Sequence, residues 1–160
     1  MRGFLLDTNA ISEAVSIRPD PNVMAWMQSV DERLLFLSAL TIGEIRKGID
    51  GLSLPSKRRD QLEAWLDHDL LQRFAGRILS IDSTIAERRG ALSADLKRRG
   101  VPMPVVDALV AATALHFDLT VVSRNVADFR NAGVSLINPW ESAQKGASGS
   151  SAEDAAEQSR

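Results

Sequence analysis

The chain has 160 residues, 44% of them hydrophobic and 25% charged, which suits one globular domain that folds without staples. It has no cysteine, so disulfides and thiolate metal sites are excluded, in keeping with a reducing cytoplasm. A net charge of −2 lacks the basic excess that often marks a nucleic-acid binder, and no stretch approaches the roughly 20 apolar residues of a membrane helix.

Along the chain, short apolar runs alternate with amphipathic ones. Phe4-Leu5-Leu6, too short for a signal peptide and closed by Asp7, reads as a buried strand. A helix is expected over Val23 to Val30, then a strand at Leu34-Leu35-Phe36-Leu37 and a helix over Ile42 to Ile49. Arg59 to Phe74 places Leu62, Trp65, Leu66, Leu70 and Phe74 close to one helical face. A strand at Ile78-Leu79-Ser80-Ile81 follows, then helices over Thr84 to Arg99 and Val106 to Phe117. Leu119-Thr120-Val121-Val122 and the weaker Val134-Ser135-Leu136-Ile137 complete the strands. This alternation implies an α/β fold of three layers, a parallel sheet of about five strands flanked by helices. The domain is expected to span residues 1–141. Residues 142–160, rich in Ser, Ala, Glu and Gln, have no apolar face and are expected to be a disordered tail.

The basic clusters Lys57-Arg58-Arg59, Arg88-Arg89 and Lys97-Arg98-Arg99 read as solvated helix faces. His68 and His116 have no partner at a metal-ligand spacing and read as structural. Trp26 and Trp65 fall on apolar helical faces and read as packing residues.

In an open parallel sheet, ligands bind at the carboxyl ends of the strands, near the point where strand order reverses. Asp7 directly follows the first strand, and Glu44 lies early in the helix after the second. Asp107 opens the helix before the fourth strand, and Ser123-Arg124-Asn125 follow that strand. These places can converge on one cleft. Phosphodiester hydrolysis needs phosphate charge neutralised and hydroxide generated; magnesium or manganese does both and prefers oxygen ligands. Gathered carboxylates repel one another unless a cation sits between them. Each acid also has a local explanation. Asp7, with Thr8 and Asn9, suits the cap of a helix starting there. Thr41-Ile42-Gly43-Glu44 matches a capping box. Asp107 suits a helix's first turn.

Four segments carry a family resemblance. Leu5-Leu6-Asp7-Thr8-Asn9-Ala10-Ile11-Ser12-Glu13 resembles the opening motif of PIN-domain nucleases. Leu37-Ser38-Ala39-Leu40-Thr41-Ile42-Gly43-Glu44-Ile45 resembles their second motif, and Pro104-Val105-Val106-Asp107-Ala108-Leu109-Val110-Ala111-Ala112-Thr113-Ala114 their third. Thr120-Val121-Val122-Ser123-Arg124-Asn125-Val126-Ala127-Asp128-Phe129 resembles the fourth, and Asn138-Pro139-Trp140 the ending of the VapC- and FitB-like branch. The resemblance covers residues 3 to 141, with the motifs in order. It implies the toxin of a type II toxin–antitoxin pair: a magnesium- or manganese-dependent endoribonuclease neutralised by a small cognate antitoxin. It also implies a cytoplasmic homodimer, able to join larger assemblies on DNA through the antitoxin.

Carried over by position, the resemblance makes Asp7, Glu44 and Asp107 the acids that hold the metal, with Asn125 at the fourth catalytic place. That fourth place is usually an aspartate. An amide offers oxygen without charge, which favours one metal over two, and Asp128 three residues on is a substitute. Thr8 and Asn9 are expected to support Asp7, and Ser123 to orient a water or a carboxylate. Arg46 and Arg124 are candidates for phosphate contact. Asn125 also supports an alternative, a catalytically weak PIN-fold module that mainly binds antitoxin or RNA. An aspartate-nucleophile phosphatase is disfavoured, because Asn9 stands where that chemistry wants a second acid.

Overall fold

The computed structural model describes residues 2–141. The expected tail of residues 142–160 lies outside the described residues. In chain order the elements are β1 (Phe4–Leu6), α1 (Thr8–Ser12), α2 (Pro21–Ser29), β2 (Leu35–Ser38), α3 (Ala39–Asp50) and α4 (Lys57–Ala64). A π-helical turn, Trp65–Leu70, joins α4 to α5 (Leu71–Arg73). Then come β3 (Ile78–Leu79), α6 (Ser83–Arg98), α7 (Val105–Phe117), β4 (Thr120–Val122), α8 (Val126–Phe129) and β5 (Leu136–Ile137). All five strands pair in parallel, in the order β3-β2-β1-β4-β5. The expected three-layer α/β fold is therefore the observed one.

A parallel sheet is covered on both faces, so its strands carry apolar side chains in both directions. Leu6, Leu35, Leu37 and Val122 enter one cluster with Ile11, Ile45, Ile49, Leu66, Leu70 and Phe74. Leu5 and Val121, one residue out of step with Leu6 and Val122, enter the other cluster with Val110, Ala111, Ala114 and Phe129. Alanines at 108, 111, 112 and 114 on α7 are buried, and such small side chains let a helix lie close to its neighbours. Gly3, just before β1, is also forced by packing: a Cβ there would lie 2.8 Å from the Phe36 ring and 3.0 Å from the Leu34 carbonyl.

Two local expectations change. The single helix expected over 59–74 contains the π turn, whose extra residue per turn is invisible to a 3.6-residue pattern. Glu44 is not in a capping box. The N-cap of α3 is Ser38, whose side chain accepts from the Leu40 amide, so Thr41 lies inside the helix and is buried.

Strand order grows outward from β1 in both directions, through β2 and β3 on one side and β4 and β5 on the other. The reversal lies between β1 and β4, where a parallel sheet opens a crevice at its carboxyl end. Asp7 and Ser123, the residues after those two strands, flank it. The Asp7 amide donates to the Val122 carbonyl at 3.0 Å, extending the β1–β4 ladder into the crevice.

Candidate active site

Asp7 is only 8% exposed and is held from several directions. Its Oδ1 accepts from the Thr8 amide at 2.9 Å, and its Oδ2 accepts from the Ser123 hydroxyl at 2.7 Å and from Asn9 Nδ2 at 3.3 Å. Burying a carboxylate is costly without such donors, and donors to an ionised group are the stronger kind. Asp7 does cap α1, as its local explanation held, but Oδ2 faces across the sheet seam.

Ser123 is fully buried. Besides donating to Asp7, its oxygen accepts from Asn9 Nδ2 at 3.2 Å and from the Asn125 amide at 3.0 Å. One donor and two acceptors exhaust a hydroxyl's capacity. Asn9 Oδ1 in turn accepts from the Arg124 amide at 3.3 Å. The loop after β4 is thus tied to the start of α1. Thr8, Asn9 and Ser123 all support Asp7, Thr8 through its backbone.

The opposite side comes from α3, α7 and α8. Glu44 is exposed in the second turn of α3. Asp107 is part-buried in the first turn of α7, near the positive end of that helix dipole. Its carboxyl is nevertheless pushed up to about 6, mainly by burial and then by the charges of Asp7, Asp128 and Glu44. Three other chain segments therefore bring a carboxylate each within electrostatic reach of Asp107. Among the described residues, Glu44, Asp107 and Asp128 make no side-chain hydrogen bond or ion pair.

Asn125 is exposed, and the part of it that makes a hydrogen bond is its backbone amide. Asp128, in the first turn of α8, supplies the charge at this corner. Of the candidate phosphate contacts, Arg46 pairs with Asp67 on the π turn at 2.7 Å, and the Arg124 guanidinium lies 5.3 Å from the Trp140 ring centroid. Arg124 is exposed. The basic clusters are partly structural: Arg59 binds Asp50 and Glu63, and Arg99 binds Asp95 and the Asn131 carbonyl. His68 and His116 are exposed, and His116 lies edge-on to the Phe117 ring. Trp26 packs edge-on against Phe4, and Trp65 packs on the core.

The donor set is all oxygen, which suits a hard divalent cation. Among the described residues, no three His, Cys, Asp or Glu side chains lie close enough to hold one ion among them. The mutual repulsion felt by Asp107 is what such an ion would offset.

Beside Glu44 opens a cavity of about 590 Å³, lined by Ala39, Leu40, Gly43, Glu44, Lys47, Ser80, Ile81 and Val106. Only Glu44 among these stands out in the sequence as a site residue. A glycine inside a helical pattern was the available signal at Gly43.

A model of the PIN domain matches residues 4–134. Toxin FitB of Neisseria gonorrhoeae is 38% identical over 137 residues, which cover 86% of this chain and 98% of that protein. VapC ribonuclease Y4jK of Sinorhizobium fredii is 36% identical over 140 residues, covering 88% and 99%. A solved structure of FitAB bound to an IR36 DNA fragment superposes with a TM-score of 0.82 at 36% identity, covering 86% of this chain and 96% of that one.

Proposed function

The chain belongs to the PIN-domain family, and from that premise we propose that it is an endoribonuclease dependent on magnesium or manganese, the toxin of a type II toxin–antitoxin pair. The observation that supports this reading is that Asp7, beside the sheet's switch point, and the acids Glu44 and Asp128 from two other elements all bear on the part-buried Asp107. Relatives named as a toxin and as a ribonuclease support it.

When bound, the cation supplies Lewis acidity, neutralising phosphate charge and making water easier to deprotonate. Asp7 and Asp107 would hold it, directly or through water. Ser123, Asn9 and the Thr8 amide keep the Asp7 carboxylate in one orientation while substrate binds. Glu44, exposed and without a hydrogen-bond partner among the described residues, would act through a bound water, as a base toward the attacking water or as a water-mediated contact to the ion. Arg124, exposed next to Asn125 and Ser123, is the stronger candidate for phosphate contact. Arg46 is engaged with Asp67 and is the weaker candidate.

A small antitoxin is the expected protein partner, and the protein is expected to be a homodimer acting in the cytoplasm. The FitAB structure, a complex bound to DNA, supports a partner of this kind. No helix among the described residues is long and apolar enough to cross a membrane.

The test is cleavage. Purified chain freed of antitoxin is incubated with structured RNA and Mg²⁺ or Mn²⁺, beside Asp7→Asn and beside a chelated sample. Cleavage confined to the unmodified chain with metal is expected. Equal and negligible cleavage in all three leaves only a PIN-fold binding module.

A further inference from the structure

The cavity beside Glu44 has features the fold does not require. Gly43 stands in the interior of α3, where glycine costs stability relative to alanine. No neighbour demands it, because a Cβ at Gly43 would meet no atom within 4 Å. Gly48 and Gly90 share those open surroundings, but they do not line this cavity. Gly43 lines the cavity, so its bare backbone leaves that stretch of wall open. The walls Leu40, Ile81 and Val106 are apolar, and Val106 is 37% exposed although it adjoins the acidic Asp107. Lys47, one turn beyond Gly43, adds the cavity's positive charge. Arg46 and Asp50 on the same helix are paired, whereas Lys47 makes no ion pair with any described residue.

An apolar recess with one free cation, continuous with an acidic site, matches a nucleotide: a flat apolar base joined to an anion. Its volume lies within the range of small-ligand sites. A base can enter such a recess only when it is unstacked, which single-stranded and loop RNA allow. We propose that this cavity receives an unpaired nucleotide flanking the scissile phosphate, its base over the bare backbone of Gly43 and its phosphate on Lys47. This rests on the ribonuclease reading above, and it makes Gly43 and Lys47 determinants of substrate choice.

The test measures binding of a short fluorescent oligoribonucleotide to full-length chain carrying Asp7→Asn, so that nothing is cut. Adding Gly43→Leu, whose Cβ would meet no atom within 4 Å, narrows the cavity and is expected to raise Kd about tenfold, the size expected for displacing one small apolar contact area. Adding Lys47→Ala is expected to flatten the dependence of log Kd on log salt by about 0.7, one phosphate contact to a single strand. Gly90→Leu is expected to match its parent. Wild-type-like binding by Gly43→Leu overturns the proposal. So does retained RNA binding with lost binding of the cognate antitoxin, which assigns the cavity to a peptide. If Gly43→Leu melts early, the Lys47→Ala slope decides, and an unchanged slope overturns the proposal. RNA cutting by unmodified chain without Gly43-dependent binding defeats this inference alone. Gly43-dependent binding without any cutting defeats the ribonuclease reading alone.

Discussion

On one wall of the cleft, Asp7 is buried and accepts hydrogen bonds on both carboxylate oxygens. On the other, Glu44 and Asp107 are more open and make no side-chain hydrogen bond with any described residue. The first wall belongs to the fold as much as to the site. It joins β1 to the loop after β4, so its geometry exists before any ligand arrives. The second wall holds charge that the fold does not neutralise. The difference suggests a division of labour: a rigid ligand on one side, and on the other acids whose repulsion only a cation or a partner relieves.

Substituting one acid on each wall separates these roles. Asp7→Asn and Glu44→Gln are each expected to lower the cleavage rate beyond the roughly 100-fold typical of supporting residues. Their effects on folding should differ. Asp7→Asn sets an amide donor either against the Thr8 amide or against Asn9 Nδ2 and the Ser123 hydroxyl, at a cost of about 1–2 kcal/mol. Glu44→Gln should stay within about 0.5 kcal/mol of wild type, as exposed substitutions do. Urea denaturation beside an RNA-cleavage assay reads both quantities.

Ser123→Ala probes the rigid wall without touching a charge. It strips one partner from each of Asp7, Asn9 and the Asn125 amide. A loss of about 1–3 kcal/mol in stability and about 10- to 100-fold in rate is expected, from denaturation and cleavage.

The open wall should reveal itself through pH. Asp107 has its folded pKa raised from 3.8 to about 6. Its contribution to stability is fully present below 3.8 and is lost as pH rises through 6. Without metal, Asp107→Asn should therefore match wild type near the acid end and exceed it at pH 7. Because the group is partly solvated, the gap should be on the order of 1 kcal/mol. Thermal melts across pH measure it. The smallest effect on cleavage is expected at Arg124→Ala, a modest rise in KM for RNA, with about 0.5–1 kcal/mol of stability lost with the cation–π contact to Trp140.

Most of the sheet was legible because its strands are short apolar runs between polar residues. Phe4–Leu6 is observed where it was read, and β2, β4 and β5 lie within a residue or two of their expected positions. The acids were legible by place, as residues after strands or at helix starts. Less legible was what depends on side chains meeting across the fold. Thr41 looks like an N-cap until Ser38 takes that role, which leaves Glu44 free of a capping duty. Asn125 occupies the motif position, yet α8 starts at Val126 and so brings Asp128 to bear on Asp107. The cavity was hidden for the same reason: α3, the end of β3 and the start of α7 build it together.

The central claim is that the two walls share one divalent cation. Isothermal titration of Mn²⁺ into the chain at pH 7, freed of antitoxin and RNA, tests it directly. The account predicts saturable binding by the wild type that weakens at least about tenfold in both Asp7→Asn and Asp107→Asn, the loss expected when a carboxylate ligand becomes an amide. Equal Mn²⁺ affinity in wild type and both variants would contradict it.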